Sequence, residues 1–140
     1  MGKTLVATAV GGELHEIGIR MVADFFEMEG WDTYYLGANC PTDDLFEEVR
    51  SRKADVLALS VTMHQSLGTA REILRQLENE QDLEPCRVIV GGKPFMQFPG
   101  LWKDIGADAW APEPEAAVRT ANELIQGGPE RVATRTGNIL

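Results

Sequence analysis

The chain has 140 residues, 44% of them hydrophobic and 25% charged, with a formal net charge of −9. That length suits one domain with a real core; no apolar run approaches the ~18 residues needed to span a bilayer, and no signal-peptide pattern opens the chain, so a cytoplasmic protein is expected. With 22 acidic against 13 basic residues, the domain lacks the basic footprint of a nucleic-acid binder, and no nucleic-acid or membrane partner is expected for it alone.

Lys3 to Val10 is apolar and β-rich, the pattern of a central strand buried on both faces. It runs into Gly11-Gly12-Glu13-Leu14-His15-Glu16-Ile17-Gly18, a glycine turn that carries a Glu-x-His pair. A helix is predicted from His15 to Glu29, with Ile17, Met21, Val22, Phe25, Phe26 and Met28 recurring at helical spacing and Gly30 closing it. Trp31 to Leu36 reads as a second strand. Pro41-Thr42-Asp43-Asp44 is a helix-start signal in which Thr42 can cap and the acids suit the positive end of the dipole. That helix turns Leu45, Phe46 and Val49 inward and ends near Lys53.

Asp55 to Ser60 is a third strand, a continuous apolar run ending in a hydroxyl. Ser66 to Glu80 is the next helix, with Leu67, Ala70, Ile73, Leu74 and Leu77 on one face. Arg87 to Val90 is a fourth strand that runs straight into Gly91-Gly92. Phe95 to Ile105 reads as one short, irregular helix containing Pro99 and Gly100. Ala109 to Ala111 is a short fifth strand, and Pro114 to Gln126 a last helix with proline at its start, on which Ala116, Val118 and Leu124 are core residues.

This alternation with short connections calls for an α/β fold, a doubly wound parallel sheet with helices on both faces. Five strands favour the flavodoxin-like (Rossmann-like) order 2-1-3-4-5, with a ligand crevice between strands 1 and 3. One domain is expected over residues 1–127. Residues 128–140 lack periodicity and read as a tail or linker. Cys40 and Cys86 stand 46 positions apart with no CxxC spacing, which argues for two free buried thiols rather than zinc or a redox pair.

Chemistry-bearing residues gather just past the ends of strands 1, 3 and 4: Glu13, His15, Ser60, Thr62 and the Gly91-Gly92 pair. A glycine pair after a strand serves positive φ or close approach of a ligand to the backbone. In Glu13-x-His15 the carboxylate can accept the Nδ1 proton and leave Nε2 as an electron-pair donor, the arrangement of metal-ligating histidines. One histidine without a nearby cysteine cannot cage an ion, so a metal held here needs most of its ligands from a cofactor. No general base, nucleophile or substrate pocket accompanies His15. No catalytic residue is assigned, and no turnover is expected from the chain alone.

These residues resemble the cobalamin-binding domains of B12-dependent methionine synthase, corrinoid methyl-transfer proteins, carbon-skeleton mutases and B12-based light sensors. The family signature is Asp-x-His-x-x-Gly, a long gap, Ser-x-Leu, a shorter gap and Gly-Gly. Here it reads Glu13-Leu14-His15-Glu16-Ile17-Gly18, 41 intervening residues, Ser60-Val61-Thr62, 28 intervening residues, then Gly91-Gly92. The resemblance covers residues 3 to 126.

By that resemblance the cofactor is a cobalamin held base-off, with His15 the lower axial ligand of cobalt and Gly12 to Gly18 the loop around it. The cofactor's displaced dimethylbenzimidazole would enter a slot beside Ser60, Val61, Thr62 and Gly91-Gly92. Glu13 stands where the family has Asp, Gly18 would let the nucleotide tail pass the first helix, and Ser66 matches the serine that extends the His-carboxylate relay in methionine synthases. Thr62 for Leu makes the slot more polar than usual, and His64 reads as a half-exposed residue at a helix start.

The resemblance also implies a helical cap or effector domain on another chain or cut away from this one. Phe95, Met96 and Phe98 are expected to be exposed apolar residues that invite such a partner or self-association into a homo-oligomer. Glu13 and the segment from Gly18 to Asn39 resemble the regulatory members, so the expected role is a signalling or light-sensing module. The alternative is a corrinoid methyl carrier serving a methyltransferase. A receiver-like signalling domain is a distant alternative, because it wants an Asp where strand 3 ends in Ser60. A flavin or nucleotide binder wants a phosphate-cradling loop stronger than Gly11-Gly12.

Overall fold

The computed structural model describes residues 2–11 and 16–126, with the side chains of 16–18 left aside. Gly12, Glu13, Leu14 and His15, and the tail expected over 128–140, lie outside the described residues. Five strands form one parallel sheet in the order β2-β1-β3-β4-β5, the doubly wound order that the alternation predicts. They are β1 (Thr4–Val10), β2 (Asp32–Ala38), β3 (Val56–Val61), β4 (Arg87–Gly91) and β5 (Ala109–Trp110). The helices are α1 (Glu16–Met28), α2 (Thr42–Arg52), α3 (Leu67–Glu78), α4 (Lys93–Gln97), α5 (Leu101–Ile105) and α6 (Pro114–Gln126). Among the described residues no helix is long and apolar enough to cross a membrane.

Period-2 alternation sorts the strand residues onto two faces. Leu5, Ala7, Ala9, Val56, Ala58 and Ile89 pack under α1 and α6. Val6, Leu57, Leu59, Val61, Val88 and Val90 pack under α2, α3 and α5. Every residue of β1 is buried, as a central strand requires, whereas β2 at the edge is half exposed. Two carboxylates secure the amino-terminal edge of the sheet. Asp55 accepts a hydrogen bond from the Thr4 amide at 2.9 Å, and Asp108 accepts one from the Val88 amide at 2.7 Å.

Several local expectations are corrected. On α1 the core stripe is Ile19, Ala23 and Phe26, while Met21 and Met28 are exposed; the sequence offers two overlapping apolar stripes, and packing against the sheet selects one. Fully buried Phe26 meets Trp31 edge-on at 5.0 Å, a ring pair worth about 0.5–1.5 kcal/mol beyond area burial. Thr42 is the first residue of α2 rather than its cap: Pro41 occupies that position without a side-chain cap bond, and its carbonyl accepts from the Leu45 amide.

The segment from 95 to 105 is two helices, α4 and α5, separated by Phe98-Pro99-Gly100. Gly100 there takes φ +87°, which a continuous right-handed helix excludes. That break turns Phe95 into the core at 1% exposure, while Met96 and Phe98 remain exposed. The expectation that all three are exposed therefore fails for Phe95. Ser66 precedes α3 in a short 3-10 turn, His64–Ser66, instead of starting the helix. Cys86 is buried and Cys40 only partly so. Burial first, and then the charges of Asp44 and Glu48, push the Cys40 thiol above its ordinary value, so it stays protonated at neutral pH.

Candidate functional site

A groove of about 470 Å³ opens at the carboxyl ends of β3 and β4, between α1 and α6. Its origin lies in the register of three strands. Ala7, Ala58 and Ile89 stand level across β1, β3 and β4, and one row further towards the carboxyl edge stand Ala9, Ser60 and Gly91. On this face β3 runs Val56, Ala58, Ser60, and β4 passes from Ile89 to Gly91, so side-chain volume shrinks towards the edge. The opposite face keeps Leu57, Leu59 and Val61 in β3 and Val88 and Val90 in β4. This groove therefore opens on the α1 and α6 face.

The groove has two tiers. Its buried side chains include Ile19 of α1, Ala58, Ile89 and Ala117 of α6, all aliphatic, with Val22 of α1 half-buried beside them. At the mouth come Ser60, Thr62, the Gly91-Gly92 backbone and Glu113. Backbone polarity follows the same division. The amides and carbonyls around Ala58 and Ile89 are engaged in the parallel ladder, and the ladder stops at the Ser60–Gly91 pair.

The two glycines are needed for different reasons. Gly92 adopts φ +128°, and a Cβ there would collide with the carbonyl of Val61. Gly91 has an ordinary φ, but a Cβ there would lie 3.2 Å from the Ala111 carbonyl oxygen. Side chains at either position would push the β4–α4 turn away from β3 and β5. A third glycine, Gly11, sits at φ +82°, and a Cβ on it would run into the Ser66 hydroxyl. Buried Ser66 thus backs the start of the loop that carries Glu13 and His15.

The residues singled out from sequence are brought together in part. Ser60, Thr62, Gly91 and Gly92 line the groove. The Val61 side chain belongs to the opposite core, and only its backbone faces Gly92. Ser66 lies beside Gly11 rather than in the groove. His64 is exposed, stacked edge-on against Phe98 at 5.3 Å. Glu16, Ile17 and Gly18 form the first turn of α1, while Gly12, Glu13, Leu14 and His15 lie outside the described residues. Sequence reading missed Ile19, Val22, Ala58, Ile89 and Ala117. Their signal was the taper Val56-Ala58-Ser60, which acquires meaning only once the strands are paired.

An apolar, slot-like hollow of this size with a few polar groups at its mouth lies within the usual range for a cofactor-sized ligand. It sits outside the carboxyl ends of the strands, where doubly wound sheets bind ligands.

Comparison with known proteins agrees. Residues 3–121 match the B12 binding domain family. The chain is 32% identical over 124 residues to dimethylamine corrinoid protein 2 of Methanosarcina acetivorans, an alignment covering 88% of this chain and 56% of that protein. It therefore spans about half the length of the curated relatives it matches. The fold superposes on the monomethylamine corrinoid protein of Methanosarcina barkeri with a TM-score of 0.79 at 24% identity, covering 89% of this chain and 58% of the other. It also superposes on the methanol:cobalamin methyltransferase complex of the same organism with a TM-score of 0.81 at 19% identity, covering 97% and 51%. Those two likenesses show a shared fold. The sequence match over most of the chain shows more: this chain belongs to the B12 binding domain family.

Proposed function

We propose that this chain is the corrinoid-carrying domain of a methyl-transfer system. The observation that carries the reading is the groove at the ends of β3 and β4 in a chain of the B12 binding domain family. The first matched relatives are named as dimethylamine corrinoid proteins, which favours a methyl carrier over the signalling or light-sensing role that Glu13 suggested.

The residues present fit the cofactor. The aliphatic part of the groove would take the nucleotide base of a corrinoid, and Ser60, Thr62 and the Gly91-Gly92 backbone would meet its polar linker. His15 would ligate the cobalt. Glu13 would accept a hydrogen bond from the Nδ1–H of His15 and fix the tautomer that leaves Nε2 free. Ser66, packed behind Gly11, supports that loop. Gly12, Leu14, Glu16, Ile17 and Gly18 are the remaining residues of the motif that would surround the corrinoid. A bound corrinoid supplies a cobalt centre that accepts and releases a methyl group; the protein holds, orients and tunes it. The substrate-handling step belongs to a separate methyltransferase partner.

The test is to load the protein with hydroxocobalamin, reduce it, and add a methylamine:corrinoid methyltransferase with its substrate. Absorption spectra should report methylation of the bound corrinoid. If no methyl group is accepted while illumination or cofactor changes the solution mass, the sensing role is the correct one.

A further inference from the structure

We infer that the groove discriminates between corrinoids by the base of their nucleotide tail, accepting a benzimidazole and disfavouring an amino-purine. The inference rests on the reading that the tail enters this groove, and it concerns which tail.

The argument is one of polar satisfaction. In either nucleotide the sugar is attached through the five-membered ring, so the six-membered ring is the leading edge of a base inserted from the mouth. In dimethylbenzimidazole that edge is carbon with two methyl groups. In adenine it carries two ring nitrogens and an exocyclic amine, all of which are hydrogen-bonded in water.

Among the described residues, the buried lining that would meet this edge offers Ile19, Ala58, Ile89 and Ala117, with Val22 half-buried beside them. None has a polar side-chain atom, and the β3–β4 backbone beneath them is consumed by the ladder, with Ala58 opposite Ile89. The groups that can hydrogen-bond stand at the mouth: Ser60, Thr62, Glu113 and the Ala111 carbonyl oxygen, which faces Gly91. An amino-purine would strand its amine among methyl groups. A buried group left without a partner loses its hydration uncompensated, whereas methyl groups there gain from burial. The polar mouth adds nothing to the discrimination, because ribose and phosphate are common to both tails. Thr62, more polar than the family's leucine, therefore does not adapt the slot to a purine, and the decision lies in the buried lining, at Ala58.

The experiment compares binding of two complete corrinoids that differ only in the base, dimethylbenzimidazolyl and adeninyl, by absorption titration and by the shift each produces in the thermal unfolding midpoint. The benzimidazolyl form should bind at least about tenfold more tightly. Ala58→Ser places one hydroxyl in the buried lining with little added volume, and it should narrow that ratio by improving the adeninyl form. Equal affinities in the wild-type protein, or a preference for adenine, would overturn the inference while leaving the cofactor assignment intact. Failure of both corrinoids to bind would instead overturn the cofactor assignment on which it rests. Because the wild-type comparison stands without the variant, a poorly folded Ala58→Ser protein does not remove the test.

Discussion

Gly92 and Val61 are in backbone contact across the ends of β4 and β3: Gly92 stands at φ +128°, and the space a Cβ would need is occupied by the Val61 carbonyl. This contact sets how closely the β4–α4 turn approaches β3, and so the height of the groove mouth. Gly92→Ala should destabilise the fold by at least about 1–3 kcal/mol, the cost of a strained backbone position. Gly91→Ala, with ordinary φ and a contact of 3.2 Å to the Ala111 oxygen, should cost less. Denaturant midpoints of the two variants give the ranking, and equal stability of Gly92→Ala and wild type would show that the turn moves freely.

His15→Ala should weaken corrinoid binding by roughly tenfold or more, judged from what changes to supporting residues alone cost at metal sites. The absorption spectrum should shift to that of a corrinoid without imidazole ligation. Glu13→Gln should give a smaller loss with the ligation band retained. An unaltered spectrum in His15→Ala would remove the histidine from the cobalt.

Ser60→Leu restores on the α1 and α6 face the bulk that the taper removes. Ser60 is half buried, with small neighbours Ala9 and Gly91 in register, so the leucine has room in the groove. We expect corrinoid affinity to fall by about tenfold or more, ~1.4 kcal/mol, while the unfolding midpoint without cofactor stays near that of wild type. Retained affinity would place the nucleotide tail elsewhere.

Acid stability should carry a small surface component from α3. Hydrogen bonds from Arg75 and then Gln76 hold the Glu72 carboxyl down from 4.5 to about 2. The folded value lies below the unfolded one, so the stabilisation is fully present above pH 4.5 and is lost as pH falls towards 2. Because the pair is exposed, the effect is modest and screened by salt. Thermal midpoints of wild type and Glu72→Gln should differ at neutral pH, draw together as pH falls below 4.5, and converge only towards pH about 2. A difference that grows on acidification would contradict this assignment.

Much of the architecture was legible in the sequence, for identifiable reasons. The run Val56-Leu57-Ala58-Leu59 is apolar on both faces because β3 lies at the centre of a covered parallel sheet. Pro114 marks the start of α6 correctly, since proline at the first helical position needs no amide partner. The misread places are those where two local patterns compete. Apolar residues on α1 admit two stripes, and the sheet beneath decides between them. Phe95 and Phe98 are alike in composition, yet the break at Gly100 turns one into the core and the other towards His64.

The sequence by itself determined the alternation of strands and helices, and with it the doubly wound order, because short connections and right-handed crossovers leave few other ways to cover both faces of the sheet. It also determined the spacing through Glu13, His15, Ser60 and Gly91-Gly92 that marks the family. Tertiary structure alone decided where a ligand fits. The sizes of Ala58, Ser60 and Gly91 carry no instruction until register sets Ala58 beside Ile89 and Ser60 beside Gly91. Only then does a decrease in side-chain volume along separate strands become one continuous hollow, since empty space is a property of neighbours and not of any residue taken singly.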